Sequence, residues 1–114
     1  MTKSEIKVIW QICFKLRQQI LSSEIQFIGS NEFPSGCCGN VSQDWLLPSL
    51  TEAGFKNIQY IYDKENSKGK SHSCLEYQGY IIDITADQKE FKEENNPPIM
   101  IIKKEESEFH KQFK

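Results

Sequence analysis

Apolar residues near the start of the chain recur at intervals of three and four positions. This period places them on one face of an α-helix and predicts a helix over residues 4–22. Polar residues such as Gln11, Lys15 and Gln18 fall between them and supply a solvent-facing side. The apolar face is formed by Ile6, Ile9, Trp10, Cys13, Leu16 and Ile20, and Val8, Ile12 and Phe14 widen it. We therefore expect this helix to be largely buried.

A second helix is predicted over residues 38–53, after a loop rich in Gly, Pro, Ser and Asn. Its buried positions are Val41, Trp45, Leu46 and Leu50. Gly54 follows at the place where a left-handed C-cap belongs. Pro48 lies within the predicted helix, where proline removes a hydrogen bond and costs about 3 kcal/mol. The sequence therefore predicts a kink or a break at Pro48.

The second half of the chain changes to the pattern of β-strands. Residues 57–63, 71–77, 80–85 and 99–102 favour strands, with many Ile and Tyr residues among them. Gln78-Gly79 has the composition of a tight turn between two of these strands. Two helices followed by three or four antiparallel strands predict an α+β domain, with N-terminal helices packed on a small antiparallel sheet.

Composition and charge exclude several classes of protein. The 114 residues fit one domain, and the 38% of hydrophobic residues exclude a disordered chain. A net charge of −2 lacks the basic excess of a dedicated nucleic-acid binder. No apolar run reaches the roughly 20 residues of a membrane span. The first residues lack the pattern of a secretory signal, so we expect a cytoplasmic protein that binds neither nucleic acid nor membrane.

The chain has four cysteines, at positions 13, 37, 38 and 74. Cys37 and Cys38 are adjacent, and no CxxC pair supports a zinc ribbon. A metal site built from Cys37, Cys38, Cys74 and His72 has little support, because adjacent cysteines rarely ligate one tetrahedral ion well. We expect no metal and no cofactor. In a reducing compartment the cysteines are thiols, and one of them is a candidate nucleophile.

Cys38, His72 and Asp83 have the residue types and places of a Cys-His-Asp triad. Cys38 begins a predicted helix, whose N-terminal partial positive charge favours the thiolate. His72 and Asp83 lie on two strands joined by the Gln78-Gly79 turn, as diagonal rather than directly opposite neighbours, and a bulge could absorb the offset. In this hypothesis Cys38 attacks a carbonyl, His72 takes the proton and Asp83 orients the imidazole.

Three segments resemble the papain-like and transglutaminase-like cysteine superfamily. They are residues 33–42 (FPSGCCGNVS), residues 71–76 (SHSCLE) and residues 81–85 (IIDIT), within a stretch that covers about half of the chain. In that superfamily a Gly-Cys opens a helix, a His begins a strand and an Asp follows on the next strand. The resemblance implies a papain-like core and assigns the same three roles to Cys38, His72 and Asp83.

The segments depart from the superfamily pattern at three positions. Cys74 stands where an aromatic residue is common, Asn40 where Asp is common, and Lys89 where Phe follows the Asp-Gln pair. These changes concern the shape of the pocket and the substrate more than the triad. The sixteen residues from Cys38 to Gly54 match the helix that follows the nucleophile in transglutaminase-like domains, so Cys38 is favoured, with Cys37 as the alternative.

The resemblance implies a thiol hydrolase or acyltransferase that acts on an amide or ester. Peptidase, deamidase and transglutaminase share one acyl-enzyme step, and the sequence does not choose among them. A protein or peptide substrate, a specific protein partner and a role as a bacterial toxin or effector module all fit a small domain. The alternative is a binding, immunity or inhibitor protein that keeps the fold without turnover.

The remaining polar and aromatic residues have simpler interpretations. We expect Glu76 to face solvent or pair with a lysine, and Asp87 to lie in a turn. His110 falls in a charged tail, residues 103–114, and is expected to be solvated. Trp10 and Trp45 are expected in the core.

Overall fold

The computed structural model describes residues 1–22 and 41–113, and they form an α+β fold with a four-stranded antiparallel sheet. The strands lie in the order β1-β2-β3-β4, so each pairs with its neighbour in the chain. The helices are α1 (Lys3–Leu21), a π-helical turn (Val41–Leu46) continued by α2 (Leu47–Glu52), 3₁₀ turns (Lys89–Glu94 and Lys104–Glu106) and α3 (Glu108–Lys111). The strands are β1 (Gln59–Glu65), β2 (Ser71–Tyr77), β3 (Tyr80–Asp83) and β4 (Met100–Lys103).

Helix α1 begins with a capping box. The Thr2 side chain accepts a hydrogen bond from the Glu5 backbone at 3.1 Å, and the Glu5 carboxylate accepts one from the Thr2 backbone at 3.0 Å. The predicted helix is confirmed, but only the face formed by Ile9, Cys13, Leu16 and Ile20 is buried. Trp10 is 46% exposed and stacks on Phe14, which is also exposed. The expectations of a core Trp10 and a largely buried helix were wrong, because Trp10 lies one position away from the buried stripe.

The described part of the second helix contains the predicted break. A π-helical turn runs to Leu46, and α2 then begins with Pro48 in its first turn, where the missing N–H leaves no hydrogen bond unmade. Trp45 is half-buried against the core. The helix ends in a Schellman motif: Phe55 donates to the Leu50 carbonyl at 3.1 Å, and Gly54 supplies the left-handed residue with φ +100°.

The hairpin between β2 and β3 fixes which residues share a face of the sheet. Gln78 and Gly79 both have positive φ, 50° and 80°, as the tightest two-residue turns require. Tyr77 and Tyr80 close the hairpin, and Leu75 lies opposite Ile82. Because side chains alternate along a strand, Leu75, Tyr77 and Ile82 face the α1 core, whereas His72, Cys74 and Asp83 lie on the opposite face.

Strand β3 ends at Asp83, two residues earlier than the sequence predicts. The carboxylate of Asp83 accepts a hydrogen bond from the Thr85 backbone at 2.8 Å. This contact turns the chain back on itself and takes Thr85 out of the strand ladder. The strand therefore ends at the residue whose side chain forms the candidate site.

The turn after β3 is attached to α1 by Arg17. Its guanidinium binds both carboxylate oxygens of Asp87 at 2.9 and 3.1 Å, and it donates to the carbonyls of Ile84 at 2.7 Å and Pro98 at 3.2 Å. Asp87 thus lies in the turn as predicted, and it also forms an ion pair. Within residues 1–22 and 41–113, no helix has both the length and the apolar character of a membrane span.

We predict that Arg17→Lys lowers the free energy of unfolding by about 2 kcal/mol, because lysine cannot form the bidentate pair and reach two carbonyls as well. Urea denaturation at neutral pH measures the change. Lys15→Gln, an exposed change on the same helix, is the control and is expected to stay within about 0.5 kcal/mol of wild type. Equal stabilities for the Arg17 variant and wild type would contradict this role.

Candidate functional site

His72 and Asp83 are in direct contact, as the sequence predicts. The Nε2 atom of His72 lies 2.6 Å from the Oδ2 atom of Asp83. The register that pairs Leu75 with Ile82 places Asp83 opposite Cys74, two residues from His72, so the contact is diagonal. No bulge is needed in the described β2–β3 pairing; the register shift lies between β1 and β2, after Ile61.

The carboxylate of Asp83 is fully buried and receives four hydrogen bonds. Oδ1 accepts from the backbone N–H of Thr85 at 2.8 Å and from its hydroxyl at 3.2 Å. Oδ2 contacts two imidazole nitrogens, His72 Nε2 at 2.6 Å and His110 Nε2 at 2.7 Å. An ionised carboxylate has about four lone-pair positions, so these donors match its capacity to accept.

This environment keeps Asp83 ionised. Burial on its own would raise the pKa of the carboxyl group. The charge of His72 and the hydrogen bonds from His110 and His72 outweigh burial and hold the pKa of Asp83 well below its usual range. A carboxylate that is charged at neutral pH accepts protons only from donors, so each histidine presents an N–H at Nε2.

His110 is a part of this site, and the expectation that it would be solvated was wrong. Its side chain is 7% exposed and lies against Asp83 rather than in water. The hydroxyl of Ser107 lies 2.5 Å from its Nδ1 atom. Ser107 also caps α3, so the position of the ring follows from the start of that helix.

One sequence signal could have located His110. Phe109 and Phe113 are four positions apart within the charged tail, and Ser107 precedes them as a helix cap. This spacing is typical of a short helix with one buried face. The neighbouring run from Lys103 to Glu106 is exposed, as expected, and it masks the pattern.

Aromatic rings enclose the imidazole of His72. The ring centroids of Phe91, Phe109 and Phe113 lie 5.4, 5.5 and 5.5 Å from that of His72. These three side chains come from the segment after β3 and from the C-terminal residues, and they form a second buried cluster. They restrict the rotation of the ring and exclude water from the His72–Asp83 hydrogen bond, which is stronger in a low-dielectric surrounding.

A cavity of about 200 Å³ opens beside the two histidines. Ile61, Ile81 and Phe113 form apolar walls, and Lys104 and Lys111 lie at its solvent side. Lys104 pairs with Glu76 at 2.9 Å, which confirms the expected lysine partner of Glu76. An apolar cavity of about 150 Å³ can hold benzene, so this one accommodates a side chain or a small acyl group.

The same three side chains are the candidate ligands for a metal ion. Nε2 of His72, Nε2 of His110 and an oxygen of Asp83 lie within 4.8 Å of one another. A tetrahedral zinc ion with bonds of about 2.0–2.1 Å would hold its ligand atoms roughly 3.3 Å apart. The separations of 2.6 and 2.7 Å are those of hydrogen bonds, so a metal would require the imidazoles to move apart.

Cys38, the predicted nucleophile, and Cys37, its alternative, lie outside the described residues. Cys74 lines the cavity beside His72. Cys13 is fully buried in the core, as expected. Burial, followed by the negative charge of Asp83, raises the pKa of Cys13 to about 12, so this thiol is not a nucleophile.

We predict that Asp83→Asn lowers the free energy of unfolding by about 3–5 kcal/mol at pH 7, because both imidazoles lose a buried charged partner. The folded pKa of Asp83 is depressed, so its contribution is complete above the unfolded value of about 4 and is lost as the pH falls below it. The difference between wild type and variant should therefore shrink below about pH 4.

Urea denaturation of both proteins from pH 7 to pH 3 measures this difference. Glu105→Gln, an exposed change near the same segment, is the control and should leave the difference near zero at every pH. A constant gap between wild type and Asp83→Asn down to pH 3 would contradict the linkage.

Comparison with models of protein families, with curated proteins and with solved structures gave no significant match to this chain. The α+β architecture and the His72–Asp83–His110 contacts are therefore described from the structure alone. The papain-like and transglutaminase-like resemblance stays a prediction.

Proposed function

We propose that this protein is a cysteine-dependent acyl-transfer enzyme or hydrolase with a papain-like or transglutaminase-like core. Cys38 is the nucleophile, His72 the general base and Asp83 the residue that orients His72. The observation that supports this most is the buried Asp83 carboxylate, which holds Nε2 of His72 at 2.6 Å. The role of Cys38 rests on the sequence, and its test is given below.

The contact with Asp83 determines which nitrogen of His72 can act as the base. Because the ionised carboxylate accepts the Nε2 proton, the neutral imidazole carries its lone pair on Nδ1. Nδ1 is therefore the atom that takes the thiol proton. When it does, the new imidazolium remains hydrogen bonded to a negative charge, which stabilises it.

The reaction proceeds in two steps that both use His72. The Cys38 sulfur attacks the carbonyl carbon of an amide or ester, His72 accepts the thiol proton, and the leaving amine or alcohol departs with that proton. Water or an amine then gives a proton to His72 and attacks the thioester, and the cysteine leaves as a thiol. Water as acceptor gives hydrolysis, and an amine gives transfer.

The surroundings of His72 favour a protein or peptide substrate. The cavity beside His72 and His110 has apolar walls and the size of one side chain or small acyl group. The exposed lysines at its solvent side leave it open to a larger chain. A thiol nucleophile also requires a reducing compartment, so we place the activity in the cytoplasm.

We predict that iodoacetamide alkylates Cys38 faster than the other cysteines below pH 7, since a nearby imidazolium and a helix N-terminus favour the thiolate. Mass spectrometry identifies the labelled cysteine from pH 5 to pH 9. Cys38→Ala should lose the fast phase, whereas the matched variant Cys37→Ala should keep it. Cys13 should stay unlabelled in the folded protein, because it is buried.

Other labelling patterns would contradict the assignment. A fast phase that persists in Cys38→Ala and disappears in Cys37→Ala would move the nucleophile by one residue. Slow labelling of every cysteine, which rises only near the free-thiol pKa of about 8.5, would favour the alternative of a binding protein without turnover.

We predict that His72→Gln slows alkylation of Cys38 at pH 6 by about 10–100-fold, because the thiolate loses its cationic partner. Glutamine places an amide N–H near the position of Nε2 and leaves no base at Nδ1. It therefore suits this test better than alanine, which would leave Asp83 without a donor and open a gap among three phenylalanines.

The same pair of proteins can be compared as acyl acceptors. With p-nitrophenyl acetate, wild type should form an acetyl-Cys38 thioester and release p-nitrophenolate, and His72→Gln should do so more slowly at pH 6. Equal acylation rates for wild type and His72→Gln would show that His72 is not the base.

A further inference from the structure

We infer that His110 is a positioning residue of the site: it shares the Asp83 carboxylate with His72 and lowers the affinity of His72 for a proton. The inference deepens the proposed function, because it sets the pH range in which His72 can act as a base. It rests on the geometry of Asp83, His72 and His110, which the structure describes in full.

The ring of His110 is held from both of its nitrogens. Nε2 lies 2.7 Å from Oδ2 of Asp83, and Nδ1 lies 2.5 Å from the hydroxyl of Ser107. The hydroxyl can donate to a neutral Nδ1 or accept from a protonated one. Ser107 therefore supports His110 in either charge state while the contact with Asp83 persists.

The two imidazoles compete for one negative charge. Both rings point Nε2 at the same oxygen of Asp83, and their centroids lie 5.9 Å apart. Their side chains are only 1% and 7% exposed, so water screens the repulsion between two imidazolium ions weakly. One added proton balances the carboxylate, whereas a second gives the buried cluster a net positive charge.

The groups that face His110 from neighbouring elements act in the same direction. Asp83 on β3 is the only carboxylate that the described structure places in contact with it. Cys74 and His72 on β2, with Lys104 and Lys111, line the cavity that His110 borders. The lysines add positive charge at the solvent side and so favour one shared proton over two.

The consequence is a coupled titration. His72 and His110 take up protons in two steps that belong to the pair rather than to either ring. Loss of the ionisable His110 should leave His72 titrating in one step, at a pH about one unit above the lower step of the pair. A purely structural His110 would leave the titration of His72 unchanged.

Two variants separate a hydrogen-bonding role from a packing role. His110→Gln keeps a donor near the position of Nε2 but cannot be protonated. His110→Phe keeps an aromatic ring beside Phe109, whose centroid lies 4.9 Å from that of His110, but removes the donor to Asp83. If the phenylalanine variant does not fold, the glutamine variant alone decides the question.

Imidazole ¹⁵N NMR of the full-length chain from pH 4 to pH 9 reads the titration directly. The chain has only two histidines, so each signal can be assigned from one variant. We expect Nε2–H tautomers for both rings in wild type, a two-step titration, and a single higher step for His72 in His110→Gln. Glutamine should preserve the His72 tautomer, and phenylalanine should preserve it less well.

Either of two results would overturn the inference. One is a His72 titration that is the same in wild type and in His110→Gln. The other is a phenylalanine variant that reproduces the wild-type titration of His72, which would show that the ring only packs. A coupled pair beside an unreactive Cys38 would support the inference and contradict the proposed function, so the two failures are distinguishable.

Discussion

The buried carboxylate of Asp83 is the interaction on which the rest of the structure depends. A charged group that is removed from water costs several kcal/mol unless charges and hydrogen bonds replace the lost hydration. Asp83 recovers this cost through four contacts that come from three parts of the chain: β2, the turn after β3 and α3. The positions of those three parts are thus constrained by one side chain.

The turn after β3 is held from both faces of the sheet. Thr85 bonds back to Asp83 on the side of the histidines, while Arg17 reaches Ile84 and Asp87 from α1. These contacts are charge-assisted, which makes them shorter and stronger than neutral hydrogen bonds. A short turn in a small domain thereby becomes a fixed point, and the orientation of the Asp83 carboxylate follows from it.

Much of the fold and half of the candidate site follow from local sequence patterns. The Gln78-Gly79 turn sets the register, and that register brings His72 to Asp83 at a diagonal position. The place of His110 could not be derived in this way, because it depends on a contact between residues 27 apart in the chain. Its neighbours in sequence are charged, so composition pointed to solvent, although the spacing of Phe109 and Phe113 was a local clue. Trp10 shows the reverse failure, since a large apolar residue one position off the buried stripe remains exposed.

The face of the sheet that carries the histidines is completed by the last residues of the described chain. Helix α1 covers one face, and a domain of this size has no second long helix for the other. Phe109, His110 and Phe113 cover it together with Phe91, and they also enclose His72 and fill the last acceptor position of Asp83. The same contacts therefore close the hydrophobic core and assemble the candidate site. Activity and stability are coupled in such an arrangement, so a substitution informs on mechanism only when it keeps the shape of the side chain and changes one hydrogen bond or one charge.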